Sequence, residues 1–324
     1  MVAYGSFISH AKFFFDGNLE MREKPKQLSG EEIFDNLSKC RPIVFGKTRF
    51  TRSNEVREPK SRKRKSVAPE NDATTHGNEN MDLPKGWNKF SIFFRLPYWK
   101  HLKIRHNLDV MHIEKNICDN LIGTLLQDAV KSKDGLNARE DLVQLAIRPD
   151  LHVKEVSQNK YEMPASRITM SKEEMQQFCQ VLKSVKSPDG YSSNISNNVQ
   201  VKERKLLNLK THDCHVLLHQ LIPVALRGQI DDDVAMVLIE FCGFFSQLCS
   251  KVIDVVKFEE LEKQMIVTLC KMEMFFPPSF FTIMVHLTIH LAREAIVAGP
   301  VQYRWMYPIE RYMILYYTFK CSFF

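Results

Sequence analysis

From Leu108 onward, apolar residues recur every three to four positions, and in no stretch longer than a few residues do they alternate with polar ones. That period belongs to α-helices buried along one face, so the chain is expected to be mainly α. In RHNLDVMHIEKNICDNLIGTLLQDAV, the set Leu108, Val110, Ile113, Ile117, Leu121 and Leu125 predicts an amphipathic helix from about Leu108 to Val130. SGEEIFDNL (Ser29 to Leu37) opens with a capping box of Ser29 and Glu32, and Ser171 with Glu174 repeats it ahead of a helix to Val185. LNAREDLVQLAI (Leu136 to Ile147) is a further short helix, ended by Pro149. Four more helical patterns follow: Thr211 to Leu226, Asp231 to Ile253, Phe258 to Phe276, and Ser279 to Ala298. Asp231 to Asp233 supply cap and first-turn carboxylates, Pro277 and Pro278 divide the last two helices, and Gly299 with Pro300 predicts an αL-type stop.

Between Thr51 and Pro84 periodicity is lost, and the stretch is polar. It reads as a solvated, disordered linker carrying much of the chain's net charge of +7. Its core is KSRKRK, with cations at Lys60, Arg62, Lys63, Arg64 and Lys65. Such a run reads as a nuclear-import signal, a phosphate-binding tail, or a merely solvated charge run. The eight cysteines are scattered, without a C-x-x-C pair, and fall mostly in apolar patterns, which fits a reducing compartment. The most apolar run, Phe280 to Ala298, is broken by His286, His290, Arg293 and Glu294, and the amino terminus is a poor secretory signal. A soluble intracellular chain is expected.

Two H-x-x-x-H pairs stand on helical patterns. His286 and His290 leave one helix face one turn apart, so two imidazoles can share a metal; tetrahedral zinc needs about four ligands, and this helix offers two. Position 287 is Leu, so the metalloprotease signature H-E-x-x-H is absent. THDCHVLLH places His215 and His219 one turn apart beside His212 and Cys214, with softness and spacing that suit a metal. Its Cys214, Leu217, Leu218 and Leu221 form a core stripe, however, and simple hydrogen-bonded imidazoles are the better explanation of the pattern. Asp109, His112 and Glu114 sit near a helix start, where carboxylates are favoured by the backbone dipole without further function. Glu310, following Pro308, has the same bland explanation.

Three strings carry a resemblance: IFFRLPYWKHLKIRHNLDVMHIEKNICDNLIGTLL, VKSPDGYSSNISNNVQVKERKLLNLKTHDCHVLLHQLIPVALRG and FFPPSFFTIMVHLTIHLAREAIVAGPVQYRWMYPIERYM. They resemble the plant CACTA-type (En/Spm) transposases, matching the end of the transposase core and the adjoining domain of unknown function. The resemblance implies cut-and-paste DNA transposition on an RNase H-like fold, where two Asp and a final acid hold paired Mg²⁺ or Mn²⁺ for in-line attack on DNA. By analogy with recombinases of the immune-receptor and Transib type, His286 and His290 become a structural zinc pair. Glu310, twenty residues after His290, becomes the catalytic acid, with Glu114 as the fallback. His219 stands where Gln is expected in the family, which counts further against a metal role for the THDCH cluster.

On this reading residues 1–50 are a remnant of the transposase core, 51–84 the basic linker, 85–205 the helical end of the transposase domain, and 206–324 the helical carboxy-terminal domain. The stretch with both catalytic Asp and the C-x-x-C lies outside the match, and MILYYTFKCSFF abandons the family pattern. The expectation is therefore a truncated derivative, inactive in cleavage by itself, in the nucleus or the cytoplasm. Its partners are terminal-repeat DNA and full-length transposase, with neither a membrane nor a small-molecule substrate. The alternative is a non-catalytic nuclear adaptor that binds DNA or protein through its helical surface and basic linker. An independent metallohydrolase at His286 and His290 is disfavoured because further ligands are missing.

Overall fold

A computed structural model describes residues 28–38, 91–157, 160–186, 188, 194–307, 309–310, 312–313 and 316. Within them the protein is mainly helical, with two small sheets. The basic run 60–65 and most of segment 1–50 lie outside the described residues. The described residues up to His106 belong to one compact unit and those from Asn107 to another.

In the first unit, α1 (Gly30–Ser38) begins with the predicted capping box. The Glu32 N–H donates to Ser29 Oγ at 3.1 Å, and the Ser29 N–H donates to Glu32 Oε2 at 2.7 Å. Phe34 of α1 stacks on Phe94, in the short 3-10 turn Ile92–Arg95, with centroids 6.0 Å apart.

The second unit is a helical bundle. Its elements are α2 (Val110–Leu125), α3 (Leu136–Leu145), α4 (Lys172–Ser184), α5 (Thr211–Val216), α6 (Ile222–Ala225), α7 (Asp232–Leu248), α8 (Val255–Glu273) and α9 (Ile283–Ala298). Two antiparallel ribbons decorate it: β1 (Lys154–Ser157) with β2 (Lys160–Glu162), and β3 (Val199–Gln200) with β4 (Lys205–Leu206). The stripe read from the sequence is the buried face of α2: Val110, Ile113, Ile117, Leu121 and Leu125 are all buried. It packs on α5 and α9, while α8 lies between α7 and α9. Phe178, Phe241, Phe245, Phe276 and Phe280 fill the shared core, which runs without a break across residue 206.

Local chemistry sets most helix ends. Ser171 and Glu174 close the second predicted capping box on α4, and Asp231 caps α7 by accepting from the Asp233 and Val234 N–H groups. Three expectations about helix ends need correction, one being that the helix expected to reach Ile253 stops at Leu248 with Cys249 as its cap. The first long helix stops at Leu125 rather than Val130, because Gln127 takes φ +51 and the Asp128 carboxylate instead gathers the Val130 and Lys131 N–H groups. Gly299 does end α9 with a positive φ, but at φ 84 and ψ 178 it is extended rather than αL, a region almost confined to glycine. No helix among the described residues is long and apolar enough to cross a membrane.

Candidate functional site

Glu114 occupies a position on α2 that the helical repeat assigns to the core, four residues after Val110 and three before Ile117. Its side chain is accordingly 1% exposed. A carboxylate taken this far from water is costly unless it is paired or hydrogen-bonded. The sequence-level view of Glu114 as a helix-start carboxylate therefore misses its environment.

The partners come from the segment that follows Lys210. Its N–H donates to Asp213 Oδ2 at 2.9 Å, which starts α5 as expected of a first-turn acid. The predicted single helix Thr211 to Leu226 is widened in its middle into a π-turn over Leu217–Leu221, where the Ile222 N–H bonds the Leu217 carbonyl five residues back. Pro223 gives a local reason: it has no N–H to offer the His219 carbonyl and its ring would crowd that turn. Such turns are rare and recur at functional sites.

This segment presents both histidines to Glu114. His215 Nδ1 lies 2.8 Å from Oε2, and His219 Nε2 lies 2.8 Å from Oε1. The two rings sit 3.9 Å apart between centroids. Their side chains are 15% and 8% exposed. Burial pushes the Glu114 carboxyl up, but the hydrogen bonds from His215 and His219 and the charge on those imidazoles outweigh it, holding the group below its ordinary value of 4.5. An ionised carboxylate only accepts, so the facing ring nitrogens carry the protons.

Cys249, the residue that caps the end of α7, completes the cluster, its Sγ–H donating to Glu114 Oε1 at 3.6 Å. Burial first, and then the Glu114 charge, push this thiol up, while Arg304 acts in the opposite direction. Donor atoms of Glu114, His215, His219 and Cys249 all lie within 4.8 Å of one another. Trp305 meets His215 edge-on at 5.4 Å, and Tyr307 meets His212 at 5.9 Å. The buried Tyr307 hydroxyl has no hydrogen-bond partner among the described residues.

The other sequence candidates fall elsewhere. His286 and His290 are neighbours on α9 with ring centroids 5.3 Å apart, His286 half-buried and His290 exposed. Burial, and then His290, hold His286 below its ordinary value. Among the described residues no third His, Cys, Asp or Glu joins this pair in a metal-sized group. Glu310 is exposed, its N–H bonded to the Met306 carbonyl. Asp109 caps α2 and holds His112 Nδ1 at 2.6 Å. Cys214 is fully buried, in keeping with its place on the core stripe. Sequence reading thus found His215, His219 and Glu114 in separate contexts and missed both their union and Cys249. The available signal was Glu114 itself, an acid on an otherwise apolar stripe.

Residues 248–320, less than a quarter of the chain, match the family described as Domain of unknown function (DUF4218), a domain found in plant transposase-like proteins. The matched stretch contributes Cys249, Trp305 and Tyr307 to the cluster and its surroundings, as well as α8 and α9. No curated protein and no solved structure matches the chain.

Proposed function

We propose that this chain is a derivative of a CACTA-type DNA transposase that binds DNA without cutting it by itself. The observation that carries the reading is the DUF4218 match over 248–320, which covers α8 and α9 and takes in the string from Phe275 to Met313 that resembles that family. Those helices share one core with α2 and α7, so the matched domain is built into the bundle and is not an appendage.

Donor chemistry supports the non-catalytic part. Two-metal phosphodiester cleavage uses several carboxylates around paired hard cations about 3.5–4 Å apart. The buried cluster instead joins one carboxylate to two imidazoles and a thiol, a set for one softer ion. DNA affinity is assigned to Lys60, Arg62, Lys63, Arg64 and Lys65, which displace condensed counterions as they neutralise phosphates.

The full chain should retard a terminal-repeat duplex at low salt, and the complex should dissociate as salt rises. Changing Arg62, Lys63, Arg64 and Lys65 to Ala should weaken retardation. It should also make the slope of log affinity against log salt shallower by about 0.9 for each phosphate no longer neutralised. With Mg²⁺ or Mn²⁺ present the duplex should stay intact. Metal-dependent nicking that disappears in Glu310→Gln would overturn the reading.

A further inference from the structure

We propose that Glu114, His215, His219 and Cys249 form the binding site of a single zinc-class divalent cation that ties the first turns of α2 to the α5 segment and to the end of α7. Three separated parts of the chain deliver these donors, with Glu114 101 residues from His215 and 135 from Cys249. Their ligand atoms already lie within 4.8 Å of one another. Tetrahedral zinc with bonds of about 2.0–2.3 Å sets its ligand atoms roughly 3.3–3.8 Å apart. The distance of 3.6 Å from Cys249 Sγ to Glu114 Oε1 is in that range, and that of 2.8 Å from His219 Nε2 to the same oxygen needs to open by only about 0.5 Å, with His215 on the other oxygen.

The chemistry selects the ion. Nitrogen and sulfur donors disfavour Mg²⁺ and Ca²⁺, which take oxygen shells, and suit zinc or cobalt. One carboxylate and one thiolate balance a divalent cation, so the filled site is neutral and its burial is less costly. On binding, the Cys249 Sγ–H proton is released to solvent. The proton on each histidine nitrogen that faces Glu114 is likewise given up to solvent, and each imidazole coordinates as the neutral ring with one proton on the nitrogen that does not face the ion. The Tyr307 hydroxyl, close enough to feel the charge of Glu114, is buried without a hydrogen-bond partner among the described residues, so one polar group here is unmet within the protein.

The test is titration of the chelator-stripped full chain with Co²⁺, read by visible absorption. One equivalent should bind with a thiolate-to-cobalt charge-transfer band, and zinc should displace it. Cys249→Ser should remove that band. His219→Gln retains an N–H donor for Glu114 but lacks the imidazole ligand, and should weaken zinc binding by at least about a hundredfold with unchanged circular dichroism. Chelation should lower the thermal midpoint of the zinc-loaded wild type and leave that of Cys249→Ser unmoved. The double change of His286 and His290 to Ala should alter none of these readouts.

Failure to take up one equivalent overturns the proposal. So does a band that survives both Cys249→Ser and His219→Gln, or one lost only with His286 and His290. The centre and the DNA-binding reading fail separately: duplex retardation without cobalt uptake removes the centre alone, and cobalt uptake without retardation removes the DNA reading alone.

Discussion

Glu114 and His219 are 105 residues apart in the chain, and their carboxylate oxygen and ring nitrogen are 2.8 Å apart in space. With His215 on the other oxygen, one buried acid organises two donors from a separate helix. Replacing Glu114 by Leu leaves two ring N–H groups facing an apolar side chain. In metal-free protein that change should cost about 1–3 kcal/mol for each unmet donor, measured by urea unfolding. Glu114→Gln, which retains an acceptor oxygen, should cost less.

Glu273, near the end of α8, behaves oppositely. Burial pushes its carboxyl up to about 7. An acid raised on folding stabilises fully below its unfolded value of 4.5, and that contribution is lost as pH rises through about 7. Thermal midpoints of wild type and Glu273→Gln should therefore agree below pH 4.5, and the variant should become the more stable of the two as pH passes 7. Equal midpoints at pH 8 would contradict the sign.

Thiol chemistry should divide the cysteines. Burial raises Cys179 to about 11 and Cys242 to about 12, and Cys118 is likewise raised by burial and by Cys214. With little thiolate and no access, these should resist alkylation at pH 8 in the native protein and react in urea. Cys249 is partly accessible, so it should react slowly when stripped and become protected once zinc is added. Mass-spectrometric mapping of the labelled peptides reads both effects.

Gly123 is fixed by a close approach. A Cβ there would lie 2.6 Å from Lys131 Cβ and 3.0 Å from the Lys131 carbonyl carbon. The neighbouring Thr124 Oγ1 accepts the Lys133 N–H at 3.0 Å, so that turn has little room to retreat. Gly123→Ala should destabilise by about 1–3 kcal/mol despite the better helix propensity of alanine, visible as a lower urea midpoint with an unchanged slope.

What was legible in the sequence was local. Ser171 with Glu174, Asp231, and the Pro277–Pro278 pair mark helix ends through interactions spanning a few residues, and the structure places ends there. The site depends on long-range packing, which periodicity does not encode. Two equivalent H-x-x-x-H pairs exist, and only tertiary structure distinguishes them: His215 and His219 meet a buried carboxylate, whereas His290 faces outward. Glu114 shows the difference most clearly, since its place between Val110 and Ile117 determines its burial but leaves its partners, 101 and 105 residues away, unspecified.

The wide turn at Leu217–Leu221 also has a consequence for chain length. One surplus residue puts the two halves of this helix out of phase, so that His215 faces Glu114 while Ile222 and Ala225 still reach the interior. Removing a single residue from the turn would restore an even spiral and swing the second half by about 100°. Side-chain exchanges here alter local packing, whereas a one-residue deletion would misdirect half a helix.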